Sequence, residues 1–119
     1  MSAREFGRRL VATTSFAGLE PGKPLRLRYP PFHIVVVRLG DEVFAIEDSC
    51  NHAGASLAKG PVTDDQCIVC PLHGYAFSLR TGALVRPLRL CDDQRRFEVD
   101  REGDEVRIYD PETLMILPP

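Results

Sequence analysis

The sequence predicts an all-β fold, an antiparallel β-sandwich or barrel, and three observations carry that expectation. Apolar and polar residues alternate with period two in short runs, most cleanly Leu25-Arg26-Leu27-Arg28-Tyr29, Arg96-Phe97-Glu98-Val99 and Val106-Arg107-Ile108-Tyr109, as strands with one wet face do. The β-branched run Ile34-Val35-Val36-Val37 suits a strand buried on both faces. Ten prolines and nine glycines punctuate the chain at short intervals, which favours turns, and no segment carries a clear helical repeat.

Taken in order, Arg9 to Thr13 reads as the first strand, with Leu10, and Ala12 after it, facing inward. Ala17-Gly18-Leu19-Glu20-Pro21-Gly22 is a turn segment, and Leu25 to Tyr29 is a strand broken by Pro30-Pro31. Phe32 to Leu39 is the buried strand. Gly40-Asp41-Glu42 turns it back into Val43-Phe44-Ala45-Ile46 as a hairpin. A first loop, Cys50 to Ser56, follows Glu47-Asp48-Ser49 and closes through Leu57-Ala58-Lys59-Gly60-Pro61. Cys67-Ile68-Val69 is a short strand delivering Cys70, and Tyr75-Ala76-Phe77-Ser78 leaves a second loop as a strand. Thr81-Gly82 turns back to Ala83-Leu84-Val85, with Pro87 beyond. The last two strands, Arg96–Val99 and Val106–Tyr109, are joined through Glu102-Gly103-Asp104. One domain is expected over 1–119, with a ligand-bearing portion inserted at about 47–86 and tails at 1–8 and 111–119.

Composition narrows the function classes. The chain is ordinary globular material, 44% apolar and 27% charged. A formal net charge of -2 and pI of about 5.9 leave no basic footprint for nucleic acid. No apolar run approaches a membrane span. Arg8-Arg9 before Leu10-Val11-Ala12 faintly resembles a twin-arginine signal, but Thr13, Thr14, Ser15 and Gly18 dilute the apolar segment, and no small-residue cleavage site follows. A cytoplasmic location is therefore expected, where grouped cysteines more often bind metal than form disulfides.

The grouping in question is Cys50-Asn51-His52 with Cys70-Pro71-Leu72-His73. Each stretch supplies one thiol and one imidazole, and each lies in a strand–loop–strand unit that can aim two side chains at one point. Gly54 and Gly74 follow the ligand stretches and permit close backbone approach to a buried anionic centre. Two thiolates and two neutral imidazoles suit tetrahedral zinc or an iron–sulfur cluster with mixed ligation. Alternation of thiol and imidazole along the chain is unusual for zinc and is what a two-iron cluster needs when each loop serves both irons.

These residues resemble the Rieske-type (ISP-domain) family, whose hallmark is C-x-H followed by C-x-x-H. The match is Cys50-Asn51-His52-Ala53-Gly54 with Cys70-Pro71-Leu72-His73-Gly74, and it extends to Phe77-Ser78-Leu79-Arg80-Thr81-Gly82 and to Pro87, in the position of the family's proline-containing third loop. With the flanking strands it covers roughly Leu10 to Tyr109. The resemblance implies a 2Fe–2S cluster, with Cys50 and Cys70 on an inner iron and His52 and His73 on an outer one near the loop tip. No residue is expected to be catalytic.

Neighbouring positions separate subgroups. The respiratory type of this family carries an extra cysteine in each loop; here those positions are Ala55 and Leu72, so that disulfide cannot form. It also carries a serine and a tyrosine whose hydroxyls bond the cluster; here they are Tyr75 and Phe77. Fewer donors lower the potential, so the low end of the Rieske range, about -150 mV, is expected.

The chain is similar to the soluble ferredoxin component of multicomponent aromatic-ring dioxygenases. That resemblance implies an electron carrier, not an enzyme, taking electrons from a flavin-dependent reductase and passing them to a terminal oxygenase. Docking would be transient, at the His52/His73 tip among Ala53, Ala55, Leu57, Pro71, Leu72 and Pro87, and the protein would be a monomer. The runner-up is the Rieske-like small subunit of an assimilatory nitrite reductase, permanently bound to a catalytic chain. Retention of all four ligands favours the carrier, and no feature speaks for cluster-based sensing. Cys67, Cys91 and His33 are read as packing or strand-end residues, and Arg80, Arg86, Arg89, Arg95, Arg96 and Lys59 as a solvated face.

Overall fold

The computed structural model describes residues 8–50, 54–86 and 92–111. Nine strands run in chain order as β1 Arg9–Ser15, β2 Leu25–Leu27, β3 Ile34–Leu39, β4 Glu42–Glu47, β5 Cys67–Val69, β6 Ala76–Ser78, β7 Leu84–Arg86, β8 Arg96–Glu102 and β9 Glu105–Asp110. They form a six-stranded sheet ordered β1-β9-β8-β4-β3-β2 and a three-stranded sheet ordered β5-β6-β7, with every strand pair antiparallel. Among the described residues the helical content is one 3-10 turn, Leu57–Lys59, and no helix is long and apolar enough to cross a membrane.

The β-branched run in β3 explains the layering. Ile34, Val35, Val36 and Val37 are all 0% exposed because successive side chains enter different cores. Ile34 and Val36 join Phe16, Ala45, Phe97, Val106 and Ile108 under the six-stranded sheet. Val35 and Val37 join Ile46, Leu57, Ile68, Phe77, Leu79 and Leu84 beneath the three-stranded sheet. The small sheet thus lies over the face of β3 and β4 that the large sheet cannot cover itself. It is an insertion, since β5 to β7 fall between β4 and β8, which pair only through Ala45–Phe97 and Ile46–Arg96.

The all-β expectation holds, and several local readings are corrected. Leu10 is 49% exposed, not inward-facing, because a register shift between Leu10 and Ala12 flips the side-chain alternation. Ala12 packs on the core as expected, and Val11 does so in place of Leu10. β2 stops at Leu27, and β3 begins at Ile34 because His33 adopts φ 61°, a left-handed conformation that a strand cannot contain. His33 is therefore a turn residue, its Nδ1 accepting the Tyr29 amide at 3.0 Å. Arg8, expected in a tail, bridges Glu98 at 3.0 Å and Asp100 at 2.9 Å and lies over the Tyr109 ring.

Candidate metal centre

Two loops of the same construction face the small sheet's core. In the first, the Cys50 amide donates to the Ala55 carbonyl at 2.8 Å and the Gly54 amide to the Cys50 carbonyl at 2.7 Å. In the second, Cys70 donates to Tyr75 at 2.7 Å and Gly74 to Cys70 at 3.0 Å. The closures match even though the histidines sit at different distances from their cysteines. Gly54 and Gly74 take φ of 72° and 74°, and a Cβ on either would meet no atom within 4 Å. Backbone conformation, not crowding, requires glycine there.

The thiols are inside and the described imidazole is outside. Cys50 and Cys70 are 2% and 1% exposed, are not in a disulfide, and belong to one apolar cluster with Leu57, Ile68, Phe77 and Leu84. His73 is exposed, with its ring edge-on to Tyr75 at a centroid distance of 6.4 Å. Leu72 beside it is 61% exposed. His52 lies outside the described residues, as do Ala53, Pro87, Arg89 and Cys91. Among the described residues no three His, Cys, Asp or Glu side chains converge on one metal position. The donor set nevertheless fits a cluster of iron and sulfide: two soft sulfur donors come from two loops into one apolar cluster, and the His73 imidazole lies exposed three residues after Cys70.

Two anchoring residues escaped the sequence reading. Asp48 is 1% exposed; its Oδ1 accepts from the Ser56 hydroxyl at 3.0 Å and the Ala58 amide at 2.9 Å, and its Oδ2 from Arg26 Nε at 3.2 Å. Its own amide donates to the His33 carbonyl, and the Ser49 amide to that of Phe32. Gln94, 2% exposed, donates from Nε2 to the carbonyls of Glu47 at 2.9 Å and Ser49 at 2.8 Å, while its amide reaches the Gly82 carbonyl at 2.7 Å. A carboxylate within a polar lead-in carries no sequence mark of burial. Its position two residues before Cys50 was the available signal. At Gly60 the two loops touch: a Cβ there would lie 1.7 Å from the carbonyl oxygen of Val69, the residue before Cys70.

Phe77 is 0% exposed, Tyr75 and Ala55 are half-buried against the core, and Leu57 is fully buried, so Leu57 is no part of an exposed tip. Cys67 is buried outside the cluster that holds Cys50 and Cys70. Burial, and then the negative charge of Asp65, push its thiol pKa up, as suits a packing residue. Arg80 pairs with Glu42 at 2.8 Å and Arg86 with Asp65 at 2.9 Å. Arg95 is more than a solvated side chain: it pairs with Asp110, which is only 4% exposed.

Comparison with known proteins places these features in a family. The model of the Rieske [2Fe-2S] domain matches residues 10–110. The ferredoxin component of biphenyl 2,3-dioxygenase from Rhodococcus jostii RHA1 is 38% identical over 83% of this chain and 91% of its own. The solved ferredoxin of carbazole 1,9a-dioxygenase from Nocardioides aromaticivorans IC177 superposes with a TM-score of 0.76 at 34% identity, covering 83% of this chain and 95% of that one. A solved complex of reduced oxygenase and oxidized ferredoxin in carbazole 1,9a-dioxygenase gives 0.72 at 32%, covering 86% and 92%. A nitrite reductase small subunit from Mycobacterium tuberculosis also reaches 0.72, covering 83% and 95%, but at 18% identity it shares the fold alone. The thiol and imidazole placement, the paired loops and this likeness together establish that the chain belongs to the Rieske [2Fe-2S] domain family.

Proposed function

We propose that this chain is the ferredoxin of an aromatic-ring dioxygenase system, a one-electron carrier that takes electrons from a flavin-dependent reductase and delivers them to a terminal oxygenase. The observation that carries the reading is the polarity of the site, with Cys50 and Cys70 buried and His73 exposed. Cys50, His52, Cys70 and His73 are the four ligands in this reading. The bound cluster supplies a centre that gains and loses one electron. The cysteines hold it on the apolar core side, away from water. His73 places a ring edge at the surface, where a partner protein comes within electron-transfer reach. Leu72 and Pro71, both exposed, give that edge a small apolar surround suited to brief contact.

No hydroxyl is present at Phe77, and Tyr75 stands where the respiratory type has a serine, so the reduced cluster's added negative charge has fewer compensating donors. The potential accordingly lies near the low end of the family range, about -150 mV. The chain works as a single domain, with the portion at about 47–86 holding the cluster, and as a cytoplasmic monomer. A spectroelectrochemical titration tests the reading. A single one-electron wave well below 0 mV is expected, and a strongly positive midpoint or no reversible wave contradicts it.

A further inference from the structure

Beside the base of the first ligand loop, Arg26, Arg28 and His33 line a notch of about 220 Å³. Arg26 commits Nε to Asp48 and remains 53% exposed, so its two terminal nitrogens stay available. Arg28 is exposed and, among the described residues, pairs with no carboxylate. His33 uses Nδ1 to accept the Tyr29 amide, which leaves Nε2 to carry the ring proton. Asp48 beside this group is buried, and both its oxygens are occupied by Arg26, Ser56 and Ala58; Glu47 lines the neighbouring cavity with Phe32 and His33, where Arg95 also lies. Lys59 is exposed one residue after Ala58, and Phe32, 49% exposed, flanks His33. A chain of net charge -2 therefore presents the exposed Arg28 and the free end of the Arg26 guanidinium, with an apolar rim, on the flank of the loop that holds Cys50. Five other acids, Glu98, Asp100, Glu102, Asp104 and Glu105, lie on β8, β9 and the turn between them.

We propose that this notch receives carboxylate side chains of the redox partner protein while the His73 tip makes the electron contact. The inference rests on the carrier reading. Guanidinium groups bind carboxylates through paired donors, and a charge patch beside a small apolar contact sets orientation and encounter rate. The apolar rim at Phe32 fits a protein surface better than a free anion.

The test titrates 15N-labelled oxidised holoprotein with a hexaglutamate peptide as the acidic probe. Saturable shifts centred on Arg26, Arg28 and His33 are expected. They should weaken about tenfold in Arg28→Glu and persist in Arg107→Glu, which makes the same charge change on β9. Equal weakening in both variants, shifts spread over the β8–β9 arginines, or no saturable shift overturns the proposal. The same shifts produced by acetate at equal carboxylate concentration also overturn it, since the notch would then be a small-anion site. Visible spectra of each variant confirm an intact cluster. A redox titration of the same samples reports separately on the carrier reading.

Discussion

The two ligand loops close with the same pair of backbone hydrogen bonds, yet they are held in place by different means. The second is local: β5 and β6 pair Val69 with Ala76, and the hairpin closes directly around Cys70 to Tyr75. The first is closed by a single antiparallel bridge, Ser49 with Ser56, and by the Leu57 amide on the Asp48 carbonyl at 2.8 Å, without a strand pair on either side. It hangs on the buried Asp48 carboxylate, which gathers Ser56 and Ala58 from the far side of the loop and Arg26 from β2, and on Gln94, which reaches back across the sequence to Ser49. One thiol is thus positioned by a strand hairpin, and the other by a short local closure to which Arg26 and Gln94 add tertiary contacts. Disturbance far from the cluster should therefore enter through Cys50 before it reaches Cys70.

Substitutions can break or sharpen that contrast. The largest effect is expected where the loops are equivalent: Cys50→Ser and Cys70→Ser should each abolish the cluster's visible absorption. A variant retaining it would remove that cysteine from the ligand set. Gly60→Ala comes next. Gly60 has an ordinary φ of -99°, so the penalty is steric, from the Val69 carbonyl 1.7 Å from the new Cβ. Forcing the loops apart should lower unfolding free energy by about 3 kcal/mol, measured by denaturant titration of the holoprotein.

Asp48→Ala strips three donors of their acceptor and should cost about 2–3 kcal/mol. Leu72→Ala, on the exposed tip of the other loop, should stay within about 0.5 kcal/mol. Equal costs for these two would contradict the asymmetry. The smallest change is Phe77→Tyr, which adds a hydroxyl in the core shared by both cysteines. A shift of the midpoint potential to more positive values is expected in voltammetry, and an unchanged potential would separate Phe77 from the tuning of the cluster.

Much of this architecture was legible from the sequence, and what escaped it has a common cause. The buried β3 run, the short β5 strand and the last hairpin all announce themselves through apolar pattern, because their burial is a property of consecutive residues. The family was legible because thiol and imidazole types at this spacing are chemically distinctive. Leu10 was misplaced because a single bulge inverts the alternation on which strand reading depends. Asp48 and Gln94 carry no such mark, because a lone polar residue looks the same whether it faces water or a buried amide; Gln94 in addition meets its partners more than forty residues away. His33 was read as a strand end because nothing local demanded a left-handed turn before β3.

Electron paramagnetic resonance on the dithionite-reduced protein tests the central claim most directly. Ligation by Cys50, His52, Cys70 and His73 predicts a rhombic signal with the low average g of a histidine-ligated 2Fe–2S cluster. A signal of the all-cysteine ferredoxin type, or an EPR-silent protein containing zinc, would contradict it.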